Sequence, residues 1–113
     1  TRQHPVLRGR VSGMALGTDA MPPQAASLAA GVDGLADHGT QWFALLAGLK
    51  HRAVVAAKAV VDDAILVAGG SSYFAGSELA RLYRDVLAGQ FHPSDPESAH
   101  STVATAWLGP IAR

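Results

Sequence analysis

Cysteine is missing altogether from these 113 residues, which removes disulfide bonds and thiolate-ligated zinc in one step. Net charge is missing too. Nine basic and nine acidic side chains cancel, and no basic run offers an electrostatic handle for nucleic acid or an anionic membrane. No apolar stretch approaches the roughly 20 residues of a bilayer span, and the start lacks the basic, apolar, small-residue order of a secretory signal. A cytoplasmic protein with neither nucleic-acid nor membrane partners is the expectation. The chain opens on Thr1 rather than Met, as a processed or truncated chain does. Motifs are sparse as well. None of His4, His38, His51, His92 and His100 has another at the three- or four-residue spacing of a helical metal site, and HExxH, GxSxG and a glycine loop leading a strand into a helix are all absent. No metal is expected.

What is present is an apolar fraction of 49% against 16% charged, enough to bury one core in one domain over 1–113. No segment alternates apolar and polar residues long enough for a strand, whereas helical periodicity is strong. From Gln41 to Ala68, Trp42, Leu45, Leu46, Leu49, Ala53, Ala56, Ala57, Val60, Ala64, Val67 and Ala68 recur at three- and four-residue steps. That predicts a helix of about 28 residues, roughly 42 Å long, stopped by Gly69-Gly70. Upstream, residues 6–20 and 24–37 read as two helices divided by Pro22-Pro23, which removes two N–H donors. Gly9, Gly13 and Gly17, four apart, predict a close helix crossing. Downstream, Ser71 to Gly76 reads as a loop, and Ser77 as the cap of a helix to about Ala88. Arg81 and Asp85 are spaced to pair on its outer side. Residues 90–94 are irregular before a proline. Asp95-Pro96-Glu97 then opens a last helix that ends at Gly109-Pro110. The fold class is all-α, an antiparallel helical bundle.

Chemistry read from the residues themselves is thin. Lys50-His51-Arg52 reads as a solvated helix face. Asp62 and Asp63 point about 100° apart on a helix and read as one solvated and one partnered acid. Two places stand out. Gly69-Gly70-Ser71-Ser72 exposes backbone N–H groups that a phosphate or ring edge can approach closely, although the same glycines serve equally as an ordinary helix stop. His92, between Phe91 and Pro93 in a non-helical segment, is placed for acid–base work near neutral pH; a plain surface histidine is the alternative.

The stretch from Val61 to Phe74, followed by Leu79 to Asp85, resembles the C-terminal domain of acyl-CoA dehydrogenases. That family carries a lysine-bearing long helix, an A-x-Q-x-x-GG-x-G-[FY] turn and an E-[RK]-x-x-RD helix. Lys50, Asp63, Ala64, Gly69, Gly70, Tyr73, Arg81, Arg84 and Asp85 fall on this pattern without a gap, and a looser likeness extends from His4 to Pro110. The resemblance implies a bundle whose first long helix is missing, in a C-terminal part of a larger enzyme. It also implies a flavin, FAD or FMN, met by Gly69, Gly70 and Ser71 across an interface with a neighbouring subunit.

Three departures bear on activity. The glutamine of the pattern is Leu66, and the second turn glycine is Ser72. Where the family commonly places a tyrosine and then its catalytic glutamate, eight residues beyond Asp85, this sequence has His92 and then Pro93, and proline cannot remove an α-proton. A histidine there is similar to the flavin-dependent monooxygenases of the superfamily, of the dibenzothiophene-monooxygenase type. These take reduced flavin from a partner reductase and oxygenate a small substrate. The resemblance then makes His92 the catalytic residue and expects Gly69-Gly70 with Arg81–Asp85 to form one corner that aims it into a flavin crevice. Two other readings stand beside this one: a true FAD-dependent acyl-CoA dehydrogenase whose base lies elsewhere, and a non-catalytic assembly module. Taken alone, the chain is expected to be inactive, not to retain flavin, and to self-associate through an apolar groove along the Trp42–Ala68 helix.

Overall fold

The computed structural model describes residues 3–92 and 94–112. Within them lie four α-helices and no strand: α1 (Pro5–Asp33), α2 (Gln41–Ala68), α3 (Glu78–Leu87) and α4 (Pro96–Leu108). The all-α bundle expected from the periodicity is what forms, and α2 has the bounds its apolar repeat and its diglycine stop imply.

Every other helix packs on α2. α1 runs antiparallel along its whole length, from Arg10 beside Asp63 to Gly31 beside Trp42. α3 and α4 together make a second, broken rod. α3 follows the distal half of α2, where Lys58 sits 5.7 Å from the Tyr83 ring centre. α4 follows the proximal half, where Gln41 donates to the Ala106 carbonyl and His51 meets His100 edge-on at 4.8 Å. The break between them, residues 88–92 with 94 and 95, faces the middle of α2.

Two expected helices upstream are one. Pro22 and Pro23 lie inside α1, which continues through them. The reason is tertiary. Leu7, Arg10, Met14, Gly17, Met21, Gln24, Leu28 and Gly31 are the half-buried positions of this helix, alternately three and four residues apart, which is the seam of a helix laid along a partner. That seam runs unbroken past the prolines. Both prolines are exposed, as are Thr18 and Asp19, whose carbonyls lose their donors and face water instead. The helix also ends at Asp33 rather than 37, because Leu35 turns into the left-handed region at φ 53°. Of the three spaced glycines, Gly13 and Gly17 face Asp63 and Val60 of α2, while Gly9 faces open space.

The downstream helices keep their expected ends, with two differences in detail. Residues 69–73 wind as a 3-10 turn rather than a loop, and the Ser77 side chain makes no capping bond at the start of α3. Asp95 does cap α4, accepting from the Ser98 N–H at 2.8 Å.

Little of the chain is buried. Among the described residues, Ala44 and Ala99 are the buried apolar ones, and no large side chain is fully enclosed. Phe43, Leu46, Val55 and Leu66 stand out from α2, and Trp107 and Leu108 at the far end of α4, with Ile111 beyond it, are more than four-fifths exposed. The accessible surface is 8163 Å², whereas a compact monomer of 11.6 kDa exposes about 5,800 Å². No helix among the described residues is long and apolar enough to cross a membrane.

Candidate functional site

Gly69 closes α2 at φ 78°, a conformation open to glycine, and its N–H bonds back to the Ile65 carbonyl. Gly70 is different. Its φ is not positive, and a Cβ built on it would meet nothing within 4 Å. None of the described residues therefore requires a glycine at 70. Ser72 is buried and its hydroxyl donates to the Gly69 carbonyl at 2.7 Å, tightening the turn. The Ser71 hydroxyl, exposed, makes only a long 3.4 Å bond to the Ala68 carbonyl. The result is a firm turn with a bare, open outer face.

The other site is built on Lys50. It is neither solvated nor part of a charged face, as its place in Lys50-His51-Arg52 suggests from sequence. Its ammonium donates to three main-chain carbonyls, Gly89 at 3.1 Å, His92 at 2.8 Å and Ser94 at 2.6 Å, so all three N–H groups are used. Arg52 is engaged as well, donating to Gln24 of α1 at 2.8 Å, and His51 packs on His100. Lys50 and His51 are half-buried because α2 is packed from more than one side, and Arg52 stays exposed. Gly89 presses on α2 beside this lysine; a Cβ there would stand 2.8 and 2.9 Å from the Val54 methyls. His92 lies exposed on the loop so held, its N–H bonded to the Ala88 carbonyl at 3.0 Å. Pro93 lies outside the described residues. A cleft of about 200 Å³ runs beside the loop, bounded by Lys50, Val54, Lys58, Gln90 and Ser94.

The structure does not bring the two sites together. Lys50 and Gly69 are 19 residues apart on one helix, roughly 28 Å at 1.5 Å per residue, and α3 with the 3-10 turn after it carries the chain back toward Lys50 before His92 is reached. The expected single corner, with His92 aimed at the diglycine mouth, is therefore not formed within one chain. Gly69, Gly70 and Ser71 face one end of the bundle; His92 faces its waist.

Several charges on the α3 side are paired. Arg81 bonds both Glu78 and, at 2.8 Å, Asp85; the hydrogen bond from Arg81 holds the Glu78 carboxyl below the usual carboxylate range and in turn raises the guanidinium. Lys58 bonds Asp62 at 2.9 Å, which raises its ammonium. Asp63 pairs with Arg10 at 3.2 Å, so both members of the Asp62-Asp63 pair are partnered. Among the described residues no group of three metal-binding side chains forms. His51 and His100, 49 residues apart in sequence, were not connected by spacing; they meet beside a groove of about 500 Å³ between α2 and α4, and the His100 Nδ1 lies 2.7 Å from the Pro96 carbonyl.

Comparison with known proteins adds two findings. Residues 2–94 match the family described as acyl-CoA dehydrogenase, C-terminal domain. Two curated proteins share a 35-residue stretch at 60% identity, an L-evernosamine nitrososynthase of Micromonospora sp. and an amino sugar nitrososynthase of Streptomyces rubradiris. In each case the stretch is 31% of this chain and 8% of the relative. No solved structure matches the chain.

Proposed function

The chain belongs to the acyl-CoA dehydrogenase C-terminal domain family, and on that premise we propose that residues 1–113 are the C-terminal part of a flavin-dependent monooxygenase. It oxygenates a small organic substrate with O2 and with reduced flavin delivered by a partner reductase. The observation that carries this reading is the loop after Arg84-Asp85, where a histidine on a fixed segment stands immediately before the position of the family's glutamate, which is proline in this sequence. The curated relatives support it. A nitrososynthase acting on an amino sugar places oxygen on nitrogen, an outcome that α,β-dehydrogenation of a thioester does not share.

The diglycine turn fits a flavin arriving from outside the chain. Its outer face is open at both Gly69 and Gly70, so the turn supplies one wall and a second subunit the other. Gly69 and Gly70 let a phosphate or ring edge reach the backbone, and Ser71 adds a hydroxyl. Bound there, reduced FAD or FMN supplies the electrons for oxygen activation. His92, roughly 28 Å away along α2, serves the site of its own subunit, where it orients the substrate or takes its proton. The two regions of one chain thus address two cofactor molecules, which makes the enzyme an obligate oligomer.

Exposed area supports that assembly. The chain shows about 2,300 Å² more surface than a compact monomer of its mass, well above the ~800 Å² that each partner contributes to a stable interface. Phe43, Trp107, Leu108 and Ile111 are the apolar anchors available to it.

The test is run on the intact protein. Supplied with chemically reduced flavin, it should turn over its substrate in air and stop when oxygen is removed, and His92→Asn should lower the rate at least tenfold. A second reading, an FAD-dependent acyl-CoA dehydrogenase, is favoured by the matched family's own description. It requires a base outside these residues and predicts anaerobic oxidation of acyl-CoA with an artificial acceptor. An intact protein that shows no flavin absorption when loaded would support the assembly-module reading instead.

A further inference from the structure

We infer that Lys50 is a positioning residue whose ammonium holds residues 88–92 and Ser94 in the one conformation that presents His92. Because it concerns the His92 segment, this inference builds on the function proposed above. Three carbonyls from a six-residue stretch, Gly89, His92 and Ser94, point at one cation. Such convergence is unfavourable without the cation, since the three oxygens carry like partial charges and the first lies at the C-terminal, negative end of α3. The lysine lies on a different element, 39 to 44 residues away in sequence, so the loop is set by α2 and not by its own turn residues. The gap it fills is the break in the second rod, between the end of α3 and the Asp95 cap of α4.

The connection also has a second anchor, Gly89 against Val54, one turn further along α2. Between these points the main chain at His92 is fixed at both its N–H, on Ala88, and its carbonyl, on Lys50. A residue pinned at both main-chain groups has its Cα–Cβ direction set, and with it the side from which the imidazole meets a substrate. Structural support alone would be satisfied by one or two of these bonds. Saturating all three N–H groups of an ammonium on a loop of this length specifies a conformation.

The test uses the intact protein with 13Cε1-labelled histidine, the His92 resonance being assigned by its loss in His92→Gln. Lys50→Met keeps the apolar stem and deletes the three donors. It should move and broaden the His92 signal, leave those of His4 and His38 in place, and raise amide exchange across 88–95 about tenfold relative to the α2 peptide. Lys50→Arg, whose planar fork cannot converge three donors on three carbonyls, should restore the signal only in part. Lys50→Ala with millimolar ethylammonium should recover the parent signal. An unmoved His92 resonance in Lys50→Met overturns the inference, and so does a common shift of all the histidines with loss of helical circular dichroism, which would mark a residue that holds the whole fold. Should His92→Asn leave oxygen-dependent turnover intact, the proposed function fails while the result on Lys50 stands.

Discussion

Replacing Gly89 by alanine is the sharpest stability test of the packing described above, because two simple considerations give opposite signs. By propensity alone, alanine should stabilise a helical turn by about 0.5–1 kcal/mol over glycine, and the φ of Gly89 is not positive. By geometry, the new methyl would lie 2.8 Å from one Val54 methyl and 2.9 Å from the other, against the roughly 3.5–4.0 Å of an unstrained carbon contact. The turn or the valine must yield by about 0.7 Å. Overpacking of that order costs about 1–3 kcal/mol, which exceeds the propensity gain. For a domain of this size the midpoint of thermal unfolding should fall by about 4–10 °C. Val54→Ala removes both offending methyls, so the double variant should lose less than the sum of the two singles, by about 1–2 kcal/mol of coupling. Thermal melts followed by circular dichroism on the four proteins of this cycle measure it. A Gly89→Ala protein that melts with the parent, or two strictly additive singles, would refute the reasoning.

Other consequences are equally measurable. Gly69→Ala places a side chain at φ 78° and should lower stability by about 1 kcal/mol, whereas Gly70→Ala meets open space and should leave the melting curve unchanged while weakening flavin binding in the intact protein, read by equilibrium titration of flavin fluorescence. The Glu78 carboxyl is held low by Arg81, so its contribution to α3 is present above the ordinary glutamate range and disappears as pH falls through the depressed value. Glu78→Gln should flatten that part of a pH titration of helicity. Trp107 is 81% exposed in the single chain. Its fluorescence should shift to shorter wavelength with rising protein concentration as a partner covers it, and a clean monomer at high concentration by size-exclusion chromatography would count against the assembly.

How much of this was legible beforehand differs by element. The bounds of α2 follow from local information, an apolar repeat closed by a glycine that must adopt positive φ. The start of α4 is equally local, an aspartate cap before a proline. α1 was misread because proline reports only on its own turn. Whether two missing hydrogen bonds break a helix depends on what the helix leans on, and here the seam from Leu7 to Gly31 lies on α2 from both sides of the prolines. The same limit applies to the site. His92 and the diglycine were visible as residue types and as family register. The lysine that shapes the loop was visible only as a charge, since its partners are carbonyls some 40 residues on, and carbonyls leave no trace in a sequence pattern. The separation of His92 from Gly69 and Gly70 was hidden for a related reason. Register places residues along a chain, and only the antiparallel return of α3 turns that register into distance.

The claim that this domain belongs to an oxygenating flavoenzyme is met most directly by mass spectrometry of the product formed under 18O2 with reduced flavin supplied. The account predicts one heavy oxygen atom in each product molecule, with the label absent when ordinary O2 and 18O-water are used. Product that forms equally well without oxygen, or that carries no label under 18O2, would contradict it.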